Sequence, residues 1–231
     1  VYSTDPDVQK LIERFYTDGK MIVAGKKIDY LSVITTAIGG NKSDAFIKTD
    51  LNHSTKIENN GVIKNNLSIQ KTHTWKDSDF NNWKNLIRRY GYGKLNEHSL
   101  KFIHGMGDNL DYMRVYVPKG SKLTEAKGID IKNVRTYKDL DHTVFAFTFG
   151  PVKHGKNKTI DLTYTLPFKL NLKELKNTYK LITQKQAGAK NITLKKTLQT
   201  PDDLKIIESH PKAPTTILDK NKIFLFSIGK G

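Results

Sequence analysis

The chain has 231 residues, of which 37% are hydrophobic, 10% aromatic and 27% charged, and this composition favours a folded core over intrinsic disorder. Cysteine is absent, which excludes disulfides, thiolate nucleophiles and cysteine-ligated metal centres. No apolar run approaches the about 20 residues of a membrane span, and no signal peptide opens the chain. Because the first residue is Val1 rather than Met, we expect a piece of a longer protein.

The charge balance is strongly basic, with 39 basic and 23 acidic residues and a formal net charge of +16. Only five of the basic residues are arginine, the side chain that best recognises phosphates and bases through paired hydrogen bonds. Nucleic acid is therefore the least favoured partner. The lysines are spread over every segment, so a solvated coat on strand faces is the leading interpretation. Attraction to an anionic surface, either a wall polymer or lipid headgroups, comes second.

The first predicted element is a helix over residues 5–17. Asp5 is a candidate N-cap, and Pro6 suits the first helical position because its missing N–H costs nothing there. The apolar residues recur at helical spacing and form one face, which comprises Val8, Leu11, Ile12 and Phe15.

A strand is predicted over residues 28–38, followed by a β-hairpin over residues 45–74. The two hairpin strands meet at Asn59-Asn60-Gly61. An Asn-Gly pair is a strong hairpin signal, because both central residues of a type I′ turn need positive φ.

A second helix is predicted over residues 79–90, with Ser78 as its cap. Its apolar face is formed by four aromatic or aliphatic side chains at helical spacing, namely Phe80, Trp83, Ile87 and Tyr90. The glycine-punctuated stretch 94–109 is predicted to be a loop with a short helical turn.

The remainder of the chain has the alternating pattern of β-strands. Residues 143–149 alternate most clearly, with Phe145, Phe147 and Phe149 on one face, and we expect these rings in the core. The even spacing of strands and polar turns predicts an antiparallel β-sandwich over residues 111–231. The prediction is a mainly β chain with two substantial helices, in which an α+β portion, residues 1–110, precedes the sandwich.

The order of several short motifs resembles the C-terminal half of the bacterial domain-of-unknown-function 4012 family. The motifs are Asp29-Tyr30-Leu31-Ser32-Val33, the segment 39–47, the Asn-Gly hairpin, residues 112–121, Tyr164-Thr165-Leu166-Pro167 and residues 184–188. The resemblance covers roughly residues 5–188. The chain departs from the family pattern at Ala187, where a proline is usual, and near Thr36, where an asparagine is frequent.

The resemblance implies a location more than an activity. Members of the family are membrane-anchored through an amino-terminal span and carry a large portion outside the cytoplasm, and no biochemical activity is assigned to them. By this resemblance, the chain is an extracytoplasmic, cell-surface part of a bacterial envelope protein. It would reach the membrane only through an anchor upstream of the chain.

The segment Gly39 to Asp44 is the most suggestive candidate for a ligand site. Two glycines allow close backbone approach, Lys42 can meet an anion, and Asp44 can orient that lysine; Asn41 completes the candidate set. The spacing differs from that of a P-loop. The competing interpretation is a turn whose Asn and Asp bond their own backbone.

No catalytic residue, metal ligand set or cofactor motif is predicted. The seven histidines, His104 among them, never fall at metal-ligand spacing, and no serine has a neighbouring base in a nucleophile motif. The sequence therefore predicts a non-catalytic structural or binding module of the envelope, with an anionic glycopolymer or another envelope protein as its partner. The alternative is part of an enzyme acting on an anionic envelope polymer, with its catalytic residues mostly in an upstream half.

Overall fold

The structure, a computed structural model, describes residues 2–15, 18–91 and 96–230. Over these ranges the chain is mostly β, as predicted, with three α-helices: α1 Pro6–Arg14, α2 Asp77–Arg89 and α3 Glu97–Lys101. The first seven strands are β1 Asp29–Ala37, β2 Ile47–Ile57, β3 Val62–His73, β4 Asn109–Pro118, β5 Lys122–Lys127, β6 Arg135–Asp139 and β7 His142–Val152. The others are β8 Asn157–Lys169, β9 Lys176–Gln184, β10 Ile192–Gln199, β11 Leu204–His210, β12 Thr215–Ile217 and β13 Lys222–Lys230.

The strands form two sheets. The seven-stranded sheet has the order β11-β13-β9-β1-β4-β7-β6, and the six-stranded sheet has the order β12-β10-β2-β3-β8-β5. Neighbouring strands are antiparallel except in two pairs, β1 with β9 and β2 with β10, which are parallel. Each parallel pair joins a strand of residues 1–110 to a strand of residues 111–231, so the two sheets are mixed, whereas the sandwich was predicted to be antiparallel. Alternation of apolar residues reveals which face of a strand is buried, but it does not specify the direction of the neighbouring strand.

The main core lies between the two sheets, in a sandwich-like arrangement. The inward side chains of both sheets form one apolar cluster, and the ring of Phe145 on β7 lies 5.6 Å from that of Tyr164 on β8. Phe145, Phe147 and Phe149 are all buried in this cluster, as predicted from their alternation. Each sheet takes strands from both sides of residue 110, and the division of the chain at that residue stays a prediction.

The first helix begins as predicted and ends earlier. The side chain of Asp5 accepts hydrogen bonds from the backbone N–H groups of Asp7 and Val8, and Pro6 occupies the first turn. The helix ends at Arg14, while residues 16 and 17 of the predicted range lie outside the described residues. Val8, Leu11 and Phe15 are exposed, so the apolar face of α1 does not reach the core.

The hairpin between β2 and β3 is confirmed, but its turn differs from the prediction. Gly61 has a φ of 79°, whereas Asn60 is not in the positive-φ region, so the turn is not type I′. The backbone N–H of Gly61 instead donates to the carbonyl of Glu58 at 2.8 Å, as in a three-residue loop that ends on a left-handed glycine. A Cβ at this position would clash with the carbonyl oxygen of Leu170.

The second helix, α2, starts two residues earlier than predicted. Ser78 lies inside the helix and does not cap it, because Lys76 occupies the N-cap position. Phe80, Trp83 and Ile87 pack with Trp75 and other apolar side chains in a small separate cluster, as their spacing predicts. Tyr90, the fourth residue of the predicted face, is exposed.

Candidate functional site

The segment that links β1 to β2 contains all three sequence-predicted site residues. Asn41 makes two local contacts: its Oδ1 accepts from the backbone N–H of Ser43 at 2.7 Å, and its Nδ2 donates to the carbonyl of Asp108 at 3.0 Å. These bonds tie the segment to the residue before β4. The amide of Asn41 is therefore engaged by the protein itself.

The other two predicted site residues, Lys42 and Asp44, lie in different surroundings. Lys42 is exposed, and among the described residues no carboxylate lies within 4.0 Å of its amine. Asp44 does not hold Lys42; its Oδ1 accepts a hydrogen bond from Nδ2 of Asn109 at 2.6 Å. Asp44 is itself exposed, but this bond connects it to a second group of polar residues further inside the molecule.

That second group surrounds a small cleft between the sheets. The cleft has a volume of about 180 Å3, and its walls include Asp44, Thr35, Thr49 and the loop of residues 186–190. Lys71 also lines this cleft. Lys71 is only 2% exposed, and its Nζ donates a hydrogen bond to Oδ1 of Asn109 at 3.3 Å.

Lys71 is paired with a fully buried acid from the opposite sheet. Lys71 lies on β3, Asp111 lies on β4, and the amine is in direct contact with the Asp111 carboxylate. Apart from this amine, no donor among the described residues reaches either carboxylate oxygen. Burial lowers the pKa of Lys71 to about 8, and the charge of Asp44 opposes that shift.

The sequence analysis did not predict this pair, although the alternation along β3 indicates that Lys71 points inward. Lys71 continues the inward series of β3 that contains Leu67 and Ile69, so its period places it in the core. The position of Asp111 opposite Lys71 depends on how the two sheets pack, which no local pattern specifies.

A second buried polar network lies deeper between the sheets. Asp29, at the start of β1, accepts hydrogen bonds from Asn65 at 2.8 Å and from Tyr179. Burial raises the pKa of Asp29, while the charge of Lys196 and these hydrogen bonds oppose the shift. The network therefore holds an acid in the core of the molecule with several donors around it.

The same network contains a buried lysine. Nζ of Lys196 contacts Nδ1 of His53 at 3.0 Å and the hydroxyl of Thr55, and it lies 4.7 Å from the centre of the Tyr179 ring. Burial lowers the pKa of Lys196 to about 7, against the charge of Asp29. These side chains are all almost fully buried, which fits a structural role in fixing how the sheets pack.

Another cavity lies on the outer face of the seven-stranded sheet. It has a volume of about 550 Å3 and is bounded by residues 18–23 and by Gln184. Gln184 accepts from the backbone N–H of Ile22 at 2.8 Å and from the hydroxyl of Tyr30 at 2.6 Å, which attaches the segment to the sheet. We attribute this cavity to the way residues 18–23 cross the sheet, because Gln184 in its wall already bonds Ile22 and Tyr30.

The outer face of the six-stranded sheet is polar and, with the exception of Thr163, exposed or half-exposed. We call it the polar face. On β2 and β3 it comprises Lys48, Asp50, Asn52, Ser54, Lys56, Lys64, Asn66, Ser68, Gln70 and Thr72. On β8 and β10 it comprises Thr159, Asp161, Thr163, Thr165, Thr193, Lys195, Thr197 and Gln199. It therefore presents an array of hydroxyl and carboxamide groups with charged side chains among them.

One end of the polar face carries a row of lysines, which we call the basic row: Lys56, Lys64 and Lys122. Lys56 lies directly opposite Lys64 across the β2–β3 ladder. Thr165 pairs with both Lys64 and Lys122, so the third lysine lies on the same face two strands away. Within the described ranges, no carboxylate lies within 4.0 Å of any of these amines. Like charges directly opposite each other destabilise a sheet, which makes this row notable.

The comparisons with known proteins add no relative. No family model matches the chain, and no curated protein matches it. No helix in the described ranges has both the length and the apolar character needed to cross a membrane. In the same ranges, no three histidine or acidic side chains are grouped as metal ligands would be.

Proposed function

We propose that this chain is a non-catalytic binding module of a bacterial envelope protein, located outside the cytoplasm, that holds an anionic glycopolymer on the polar face. The observation that carries the proposal is the basic row. Lys56 and Lys64 lie directly opposite each other, Lys122 lies two strands further on, and no carboxylate of the described residues lies within 4.0 Å of their amines. The opposed pair costs stability in the free protein, and a bound polyanion would neutralise all three charges.

The remainder of the polar face suits a carbohydrate chain. Its hydroxyl and carboxamide groups can donate to and accept from sugar hydroxyls. Neighbouring strands lie about 4.8 Å apart, so Lys56 and Lys122 are about 14 Å apart across the sheet. A linear polymer with repeated negative groups could contact two or three of these lysines at once.

The Gly39 to Asp44 segment supplies a second contact in this proposal. Asn41 and Asp44 are engaged within the protein, which leaves the exposed amine of Lys42 to meet an anion. Lys42 is thus the ligand contact, and its two neighbours shape the segment.

The family resemblance supports the proposed location. The ordered motifs, which include residues 29–33 and 112–121, favour an extracytoplasmic module whose parent protein is anchored upstream. Another envelope protein is the alternative partner, and it would use the same exposed face.

The enzyme alternative rests on the cleft at Lys71. Its volume of about 180 Å3 is below the roughly 300–1,000 Å3 of typical ligand pockets. The binding proposal is therefore favoured, and catalysis would require groups from an upstream segment.

The test measures binding of purified polyglycerol-phosphate teichoic acid by calorimetry at low salt. Replacing the basic row by Lys56→Met, Lys64→Met and Lys122→Met should weaken binding roughly 100-fold, at about 1 kcal/mol for each lysine near an anionic surface. Neutral dextran should bind neither protein.

The control triple variant is Lys10→Met, Lys119→Met and Lys222→Met, which changes the net charge equally. Each of these lysines already pairs with a carboxylate, at 3.2, 3.2 and 2.7 Å respectively. The control should lose much less affinity than the basic-row variant. An equal loss in both variants would show that only net charge matters and would contradict the proposed site.

A further inference from the structure

Lys71 and Asp111 form a buried pair with unusual surroundings. The two residues are 2% and 0% exposed, and each belongs to a different sheet. Eight further ion pairs occur among the described residues, and each of these has at least one partner that is more than one-fifth exposed. Lys71 and Asp111 are thus the one described ion pair with both partners removed from water.

A charged pair in such a place is costly. Removing an ammonium and a carboxylate from water carries a penalty of several kcal/mol per ion, and mutual attraction repays it only when other hydrogen bonds satisfy the remaining sites. The Asp111 oxygens receive no further donor from the described residues. Transfer of one proton from the amine to the acid gives a neutral pair, in which the amine is a nucleophile.

We propose that the side chains of Lys71 and Asp111 condense into an intramolecular isopeptide bond that joins the two sheets. This goes beyond the proposed binding function and does not depend on it. The bond would convert two buried ionisable groups into one neutral amide.

The step balances without any co-reactant. From the neutral pair, the lone pair of Lys71 Nζ attacks Cγ of the Asp111 carboxylic acid, and an N–C bond forms. One Cγ–O bond breaks, and the departing hydroxyl takes one amine proton and leaves as water. The net change is ammonium plus carboxylate to amide plus water, with no oxidation or reduction.

Neighbouring side chains hold the pair in place. Oδ1 of Asn109 lies 3.3 Å from Nζ of Lys71, and Nδ2 of Asn109 donates to Ser43 at 3.2 Å and to Asp44 at 2.6 Å. Asn109 is therefore a positioning residue that orients the amine. The ring of Phe149, whose centre is 5.7 Å from Nζ, covers the pair with apolar surface. The lowered pKa of Lys71 supports the neutral amine that the attack needs.

The location of the bond would give it a mechanical role. It would connect β3 in the six-stranded sheet to β4 in the seven-stranded sheet. In a chain without cysteine, it would supply the covalent link between sheets that a disulfide provides in other extracellular proteins.

The test is a tryptic peptide map, by mass spectrometry, of the purified chain with its wild-type sequence. Trypsin should not cleave after a cross-linked Lys71, so peptide 65–76 should appear joined to peptide 102–114, lighter than their sum by one water. Fragmentation must place the junction at Lys71 and Asp111, because a bond from Lys71 to Asp108, the other acid of peptide 102–114, would give the same mass. Recovery of separate, unmodified peptides 65–71 and 72–76 would overturn the proposal.

Two variants test the assignment. The intact mass of the Lys71→Arg and Asp111→Ala variants should equal the mass calculated from sequence, without the loss of one water. The matched control is Lys196→Arg, which alters a buried lysine that contacts His53 and Thr55 and has no carboxylate within 4.0 Å among the described residues. This control should keep the branched peptide, in which peptides 65–76 and 102–114 are joined. Persistence of the branched peptide in Lys71→Arg would also overturn the proposal, and the map of the unmodified chain decides the question even if a variant fails to fold.

The positioning role of Asn109 has a kinetic test. In a cell-free synthesis sampled over time, Asn109→Ala should slow formation of the branched peptide at least tenfold without abolishing it. Asn109→Gln, which keeps both an acceptor oxygen for the amine and an N–H donor for Asp44 without adding charge, should restore part of the rate. A residue that served only folding would change the yield of soluble protein but not the rate in the folded fraction. Equal rates in all three proteins would exclude this role for Asn109.

Discussion

The hydroxyl of Tyr179 on β9 donates a hydrogen bond to the carboxylate of Asp29 on β1, and these two strands are parallel neighbours in the seven-stranded sheet. Both residues are almost fully buried. The bond joins a strand near the start of the chain to one near its end. The bond therefore contributes to holding β9 against β1 in the sheet.

We predict that Tyr179→Phe lowers the free energy of unfolding by about 1–3 kcal/mol, because Asp29 would lose a donor in a buried site. Urea denaturation followed by circular dichroism measures this. Tyr137→Phe is the control, since the Tyr137 hydroxyl has no hydrogen-bond partner within the described ranges, and its effect should stay within about 0.5 kcal/mol. Equal effects of the two variants would contradict the assigned bond.

His104 gives a pH-dependent signal, because both tryptophans of the chain surround it. Its Nδ1 accepts the indole N–H of Trp75 at 2.9 Å, and the Trp83 ring lies 4.9 Å away. Burial lowers the pKa of His104 below its ordinary value of 6.5. The unfolded chain therefore binds the proton first as the pH falls, and the stability that this site contributes is lost on acidification below about 6.5.

We predict a step in tryptophan fluorescence on acidification below pH 6.5, as protonation of Nδ1 breaks the bond to Trp75. His104→Asn should abolish the step. The control is His154→Asn, which removes another ring near Trp75, at 5.8 Å, and should preserve the step. A step that survives His104→Asn would assign the signal to another group.

The basic row leads to a prediction with opposite signs in two assays. Lys64→Glu would turn the like-charged pair with Lys56 into an opposite-charged pair and should raise the free energy of unfolding by about 0.2–1 kcal/mol. The same change should weaken teichoic acid binding. Lys195→Glu, opposite Asn52, is the control and should change stability less. Loss of stability in Lys64→Glu would show that the two amines are not close.

Lys42 tests the segment chosen from the sequence. Because its amine is exposed and unpaired among the described residues, Lys42→Met should change the free energy of unfolding by no more than about 0.5 kcal/mol. If the segment contacts the polymer, affinity for teichoic acid should fall in the same variant. A stability loss of several kcal/mol would instead indicate a buried pair.

Local patterns predicted the elements better than their partners. Alternation placed Phe145 and Phe149 in the core, and Pro6 and Asp5 marked the start of a helix, because these signals depend on neighbours within a few residues. The parallel pairing of β1 with β9 could not be predicted, since it depends on packing across the chain. The site was predicted in the same uneven way.

The segment from Asn41 to Asp44 was found through its glycines and polar residues. Its connection to Lys71 was missed because Asn109, which joins them, lies 65 residues away in sequence from Asp44. The buried network around Asp29 was missed for the same reason. Polar residues at inward positions were visible on β3, but the partners of Asn65 and Lys71, Asp29 and Asp111, lie on the other sheet.

The two parallel pairs also determine how the chain can fold. Asp29 on β1 pairs with Leu181, and Thr49 on β2 pairs with Ile192, so one edge of each early strand waits for residues made more than 140 positions later. Contacts of such long sequence separation make folding slow, and the open edges are exposed to other chains in the meantime. We expect a chain truncated before residue 176 to self-associate, because β1 and β2 would keep those edges free. Assembly of the protein is in this sense completed by its last quarter, which adds strands to both sheets at once.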